Sequence, residues 1–462
     1  MGTIEILSLV GIVLGIAILI FCAYRRINIL LYSILASVVV LAFSGQWPWQ
    51  GITGVFMSGF AEYVRQYMLL FITSTLFSFM LAESGATTVI ATSIMKLVNK
   101  AKTPVGKAFA AVLALGVIQA ILIIGGVNAI VYVFMLTGIA RDLFKKMNIP
   151  WHLAYLSIWG GGSTVACFIP GIAQVNNIIP NQVWGTSLMS LPGITLITFA
   201  FAMVLTLIYS YFVIKKTINS GEGFFPTGTK LDERYPERQT TEEEEGVKKP
   251  FIVRLGKLLL ALLPLIVMFV VLNLGVSPSL SMLVGCLAVV IFHFKTYKPK
   301  QILKDVEKAV PVGISVVANF CAIVGFGAVV SSTPFYTWLV SNIETVITGA
   351  TAGPSTLWIL VGSISVACGI TATAAGGLQI VLGKLGGVFA ASGWSLPVLH
   401  RLSVMTTGVF DSLPHSAAIM NGFQVFCVDH KMVYKYVFVE TVLITGLATV
   451  LATLLCSFGL AF

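Results

Sequence analysis

Long runs of apolar residues follow one another along nearly the whole chain, continuous rather than alternating with polar ones. Continuous runs of this kind point to helices and exclude a barrel with a polar lumen. A helix needs about 20 apolar residues to cross the hydrocarbon core. Such runs predict spans over 4–23, 27–44, 64–82 and 188–214 in the first half, then over 258–274, 279–294, 309–330 and 434–459. Two stretches, 108–140 and 357–392, are too long for one crossing and carry glycine clusters midway, which predicts re-entrant hairpins. Two more, 151–187 and 396–427, are apolar but interrupted by Gly, Pro and polar residues, as broken helices are. Short amphipathic pieces at 86–99 and 335–347 complete the pattern. The expected fold is an all-α polytopic membrane protein of about ten transmembrane helices, with two re-entrant hairpins and two broken helices.

These parts recur in the same order, which predicts two repeats, 1–216 and 250–462, joined by a polar linker over 217–249. The broken spans share local text as well. Leu156-Ser157-Ile158 leads through Gly160–Thr164 to Pro170 and Asn176, as Leu402-Ser403-Val404 leads through Thr406-Thr407-Gly408 to Pro414 and Asn421. An odd number of crossings per repeat makes the second inverted relative to the first. Inverted repeats with discontinuous helices mark secondary transporters, whose substrate site lies at the repeat interface.

Composition agrees with this reading. Of 462 residues 57% are hydrophobic and only 10% charged, too few to coat a soluble surface. The run Ile6–Phe21 lacks a preceding basic segment and a small-residue cleavage site, so it is expected to remain as a span. The net charge of +10 sits in short loops, which favours the anionic lipid surface as partner and excludes nucleic acid. Basic residues at Arg25, Arg26, Lys96–Lys107, Arg141–Lys146, Lys215, Lys216, Lys248–Lys257, Lys295–Lys308, Lys431 and Lys435 fall on one side if both termini are outside and 217–249 is cytoplasmic. The acidic run Glu242–Glu245 reads as part of a solvated connector. Seven cysteines are scattered singly and read as small buried hydrophobes.

The breaks are where chemistry is expected, because irregular backbone at membrane depth is tolerated only inside protein or beside a watery cavity. Four such places are Gly125-Gly126-Val127-Asn128, 160–171, Gly369–Gly377 and 406–416. Helix starts there offer free N–H groups and positive dipole ends to a carboxylate. Candidate substrate contacts are Gly125, Gly126, Asn128, Gly162, Ser163, Thr164, Thr371, Thr373, Gly376, Gly377, Ser412 and His415. Asp411 is the acidic residue inside a break; it is expected to carry a coupling proton with His415 as partner, or to ligate a cation. Arg401, His400 and Glu440 are expected to reach the headgroups, and Glu62, Arg65 and Glu83 to sit at span ends.

The segment Gly408–Met420, GVFDSLPHSAAIM, resembles the gluconate permease family, in which Asp-Ser-Leu-Pro-His is typical at this position. Ala23–Asn28, Gly59-Phe60 and Leu81–Ala86 are similar to that family too. The resemblance implies uptake of small hydroxy acids such as gluconate across a bacterial inner membrane. It also implies proton coupling, an elevator movement and a dimeric scaffold. Ser416 departs from the Asn of many relatives, as does the charged linker. No organic cofactor or metal is expected, the coupling ion being a proton or, as the alternative, sodium. HExxH, GxSxG and Walker motifs are missing, so an intramembrane enzyme is the weakest reading and a channel comes before it.

Overall fold

The computed structural model describes residues 1–25, 27–124, 129–172, 174–225, 227–234, 251–348 and 353–461, and among them every regular element is helical. The first half comprises α1 (Thr3–Tyr24), α2 (Ile29–Phe43), α3 (Pro48–Glu83), α4 (Ala86–Val98), α5 (Pro104–Ile124), α6 (Ala129–Lys146), α7 (Gly162–Phe168), α8 (Val175–Trp184) and α9 (Pro192–Asn219). The second half comprises α10 (Phe251–Asn273), α11 (Pro278–Phe292), α12 (Pro299–Ser331), α13 (Pro334–Thr348), α14 (Pro354–Thr371), α15 (Ala374–Ala390), α16 (Leu396–Phe410), α17 (Ala417–Phe426) and α18 (His430–Ser457). Eight helices of the described residues are long and apolar enough to cross a membrane, so the protein is an all-α polytopic membrane protein.

The expected spans differ from the helices mainly at their starts. A crossing was expected from 64, yet α3 begins at Pro48 and passes through a π-helical turn at Ile52–Phe56. Glu62, Arg65 and Gln66 lower the hydropathy there without breaking the helix. Glu62 and Arg65 sit within α3, paired with each other on its exposed face. The helices α2 and α11 have 15 residues each, about 22 Å at the helical rise.

The core is the crossing of α3 with α12, the most extensive helix–helix contact in the protein. Around it the packing is reciprocal: α2 lies on α12 and α11 on α3, while α4 meets α10 and α1 meets α13. Glycines set how closely the central pair approach. A Cβ on Gly313 would stand 2.9 Å from the Cα of Ile72, and one on Gly325 would stand 2.9 Å from the carbonyl oxygen of Phe56. Both obstacles are backbone, which cannot rotate away.

The start of the polar linker is not simply solvated. Phe224 and Leu231 are buried, and Phe224 packs near Trp151. Asp232 pairs with Arg141 at 2.6 Å and Lys145 at 2.8 Å, both at the end of α6. Burial alone would raise the Asp232 carboxyl, but hydrogen bonds and charge from Lys145 and Arg141 outweigh it and hold the group below its ordinary value. Residues 235–249, with the acidic run, lie outside the described residues.

Substitution Gly313→Ala tests the crossing. Alanine gains about 1 kcal/mol of helix propensity over glycine, whereas overpacking against fixed backbone costs about 1–3 kcal/mol. Gly362 in α14 has nothing within 4 Å of its would-be Cβ. Thermal unfolding in detergent should therefore show Gly313→Ala less stable and Gly362→Ala no less stable than the parent; equal midpoints would refute close backbone contact at 313.

Candidate functional site

The two broken spans and the second hairpin place their irregular backbone together, though not where glycine alone predicted. Gly160, Gly161 and Gly162 are helical, in a π segment (Leu156–Gly161) running into α7. The first break opens at Ile169, which is extended, and turns at Gly171 with φ +81° before α8 starts. The three glycines serve clearance instead. A Cβ on Gly162 would overlap the Gln119 amide and the Tyr132 hydroxyl, and one on Gly160 would overlap the Glu440 carboxylate. The second break is likewise shorter than 406–416: α16 continues to Phe410, and only Asp411–Ser416 are irregular. In the second hairpin the turn is made by Ala372 and Thr373 alone, with Gly369 and Gly376 inside the helices on either side.

Ala372 takes the left-handed conformation, φ +54°, at a cost of about 1–2 kcal/mol for a residue with a Cβ. Cross-links from the second break hold it there. Ser416 Oγ donates to the Ala372 carbonyl at 3.2 Å, and His415 Nε2 donates to the Gly369 carbonyl at 2.9 Å. That bond fixes the neutral tautomer, so Nδ1 presents a lone pair, buried and without a hydrogen-bond partner among the described residues. From the other side the Tyr434 hydroxyl donates to the Ser412 carbonyl at 3.2 Å, and His430 Nε2 donates to that of Pro414 at 2.7 Å. The two broken spans meet directly as well, through Asn176 Nδ2 donating to Thr407 Oγ1 at 3.4 Å.

Between these elements lies a cavity of about 260 Å³. One wall is Tyr63, Gln66 and Tyr67 of α3 with Phe320 and Val324 of α12. The opposite wall is Gly162, Ser163 and Cys167 of α7, the start of α8 at Gln174–Asn176, and the hairpin turn and start of α15 at Ala372–Gly376. Tyr132, Gln379, Asp411, Ser412 and Ala418 close it. Helix starts thus face the cavity from α8 and α15, each with N–H groups that have no partner inside their own helix. Thr373 caps α15 by accepting from the Gly376 amide at 3.0 Å. No Lys, Arg or His is among the described lining residues. The one ionisable carboxyl is that of Asp411, whose Oδ1 accepts from Ser412 Oγ at 2.8 Å. Asp411 ends α16, where a negative charge opposes the helix dipole, so helix capping does not explain it.

Of the residues singled out in the sequence, Gly162, Ser163, Thr373, Gly376, Asp411 and Ser412 line the cavity. Thr164 and Thr371 are buried behind it with their hydroxyls turned back to helix carbonyls. Gly377 lets the hairpin arms meet, since a Cβ there would overlap Cys368. His415 sits behind the turn rather than on the cavity wall. Gly125, Gly126 and Asn128 lie outside the described residues. Tyr63, Gln66, Tyr67, Tyr132, Gln174 and Gln379 line the cavity without being singled out by the sequence.

Three ionisable residues expected at the headgroups are internal instead. Arg401 is fully buried and donates to the carbonyls of Ser190 at 3.0 Å and Leu188 at 2.7 Å. His400 bonds Asn177 at 2.7 Å and Thr186, so both side chains are spent on fastening the loop after α8. Glu440, 1% exposed, accepts from Ser210 Oγ at 2.8 Å. Their depth was misjudged because the loop at 185–191 folds back over the start of α16 and α18 begins earlier than hydropathy indicated.

No protein-family profile matches the chain. It is similar to a Bacillus subtilis (strain 168) protein named as an uncharacterized transporter, YxjC, at 24% identity over 480 residues, a match that covers 95% of this chain and 97% of that protein.

Proposed function

We propose that this protein is a secondary active transporter that imports a small hydroxycarboxylate such as gluconate with protons. The observation that carries the proposal is the cavity itself. Two discontinuous helices and a hairpin turn converge on it with helix starts, amides and hydroxyls, together with one carboxyl and no cationic side chain among the described lining residues. A substrate carboxylate suits the N–H groups opening α8 and α15. Its hydroxyls suit Gln66, Gln174, Gln379, Asn176 and Ser163, which both donate and accept. The similarity to a protein named as a transporter supports the general class, and the resemblance of GVFDSLPHSAAIM to gluconate permeases supports the substrate class.

In this reading the halves 1–216 and 250–462 are inverted repeats, and the crossed pair α3–α12 belongs to a scaffold within a homodimer. Hairpins and broken spans carry the substrate past Tyr63, Gln66, Tyr67 and Phe320 in an elevator movement. The membrane is a bacterial inner membrane, with both termini outside and 217–249 inside. Asp411 takes up a proton outside and releases it inside. A carboxyl beside a bound anion is repelled when ionised, so protonation and substrate binding favour each other.

Three measurements test this. In a background with the native cysteines replaced, an impermeant thiol reagent applied from outside should label Gly2→Cys but not Ser220→Cys; the opposite pattern overturns the orientation. Thr373→Ala removes both a helix cap and a cavity hydroxyl, and leaving a buried partner unmet costs about 1–3 kcal/mol. The half-saturating concentration for gluconate uptake should rise about 5- to 150-fold at that cost, with the amount of folded protein unchanged; an unaltered value removes Thr373 from the site. Asp411→Asn resembles the protonated form, so pH-gradient-driven accumulation in proteoliposomes should be lost while any remaining counterflow becomes independent of pH. Full accumulation by this variant overturns the role of Asp411, and uptake driven by sodium in place of protons overturns proton coupling.

A further inference from the structure

Glu440 is the second carboxyl at depth that the proposed cycle leaves unused. It is the eleventh residue of α18, about 15 Å along the helix axis, and lies in a π-helical segment, Phe438–Ile444. π turns are rare and recur at functional sites. A second π segment, Leu156–Gly161, packs against this one, and its Gly160 has no side chain where the carboxylate sits. Any larger residue at 160 would displace Glu440. Gly160 therefore makes room for one acidic side chain between two packed π segments.

Its electrostatic surroundings are sparse. Ser210 Oγ donates to Oε1, and no Lys, Arg or His pairs with the carboxylate among the described residues. The titratable side chain near it is the Tyr209 phenol on α9. The facing segment Leu156–Gly161 contributes none, and the His400 and Arg401 of α16 are engaged by the 185–191 loop. An ionised carboxylate with a single neutral donor is costly at membrane depth, whereas a carboxylic acid in the same place is not. A metal cation would need several more oxygen ligands than the one serine supplies. Two buried polar atoms without hydrogen-bond partners among the described residues flank the position. Thr206 Oγ1 lies one turn from Ser210 on α9, and Gln119 Oε1 lies beside Gly161. Gln119 and Tyr132 adjoin Gly162, and Tyr132 reaches the cavity. Thus a single three-glycine strip separates the Glu440 carboxyl on one side from the substrate cavity on the other.

We infer that Glu440 is a second proton-carrying carboxyl of the transport cycle, separate from Asp411. The inference rests on the reading of this protein as a proton-coupled transporter. In the closed arrangement the acid form holds its proton and Ser210 donates to its other oxygen. When the strip 156–162 slides against α18, water reaches the carboxyl, the proton leaves as hydronium, and the carboxylate is solvated until it is reprotonated from the opposite side. The coupling ratio then includes one proton that Asp411 does not carry.

The experiment compares wild type, Glu440→Gln and Glu440→Asp in proteoliposomes, measuring protons moved per gluconate from the pH gradient that just balances a gluconate gradient. Glu440→Gln should move one proton fewer per gluconate and lose the matching step in its pH profile, and Glu440→Asp should recover both. Loss of the hydrogen bond to Ser210 alone would change rates by roughly threefold and leave the ratio untouched, so an unchanged ratio in Glu440→Gln overturns the inference while the transport reading stands. Wild type that moves gluconate without protons, or moves none, overturns both. A second measurement does not depend on substrate: infrared difference spectra of detergent-purified wild type between acid and alkaline pH should show a carboxylic acid C=O band missing from Glu440→Gln, and identical spectra overturn the inference. The same spectra serve if Glu440→Gln folds but does not transport.

Discussion

Inside a bilayer no water is available to satisfy a backbone N–H or C=O, and the architecture follows from that constraint. At the second break, the hairpin turn and the loop after α8, other parts of the protein take over orphaned carbonyls. The carbonyls of Gly369, Ala372, Ser412 and Pro414 receive hydrogen bonds from His415, Ser416, Tyr434 and His430. Those of Leu188 and Ser190 receive theirs from Arg401. What the protein leaves open is the complementary set, the N–H groups in the first turns of α8 and α15 apart from the Gly376 amide that Thr373 caps, and these helix starts face the cavity. Acceptors are covered and donors are offered, a polarity that suits an anion.

The same economy explains the glycines. Few of them provide a turn; Gly171 and Gly185, with positive φ, are the turn-forming cases around the first break. Gly160, Gly162, Gly313, Gly325 and Gly377 instead provide contact, each lying where a Cβ would meet backbone or a functional side chain. Close contact in a membrane must come from packing, since lipid tails supply no hydrophobic drive between helices. The central crossing and the carboxyl pocket at Glu440 depend equally on that absence of side chains.

How much of this was legible in the sequence divides along the same line. The membrane-spanning helices were readable because the length of an apolar run reports directly on what it can cross. The breaks were readable to within several residues, and the error had a physical source. Glycine permits a break without requiring one, while Ile169-Pro170-Gly171 combines an extended residue, a missing N–H and a positive φ and so compels it. Ser163, Thr373, Asp411 and Ser412 could be picked out because polar residues are scarce at depth. Tyr63, Gln66 and Gln379 could not, since a polar residue on a helix face reads alike whether it meets a cavity, another helix or the membrane surface. Glu440 and Arg401 were misplaced for a related reason: their burial comes from a serine and from loop carbonyls that are remote in the chain.

The lack of a cationic side chain on the described cavity wall bears on how transport can cycle. A lysine or arginine would hold a carboxylate strongly in every state, and a carrier must release its cargo on one side as readily as it binds on the other. Helix dipoles and neutral amides give an attraction that is smaller and depends on geometry, falling off within a single turn. In the proposed elevator cycle, displacing the hairpin or a broken span by a few ångströms would weaken it, so the movement that exposes the site would also loosen it. In the same proposal the Asp411 carboxyl beside the anion would add a second control, able to donate a hydrogen bond when protonated and repulsive when ionised. On the proposed function, binding strength would thereby be tied to position and to protonation, which is the coupling a concentrating carrier requires.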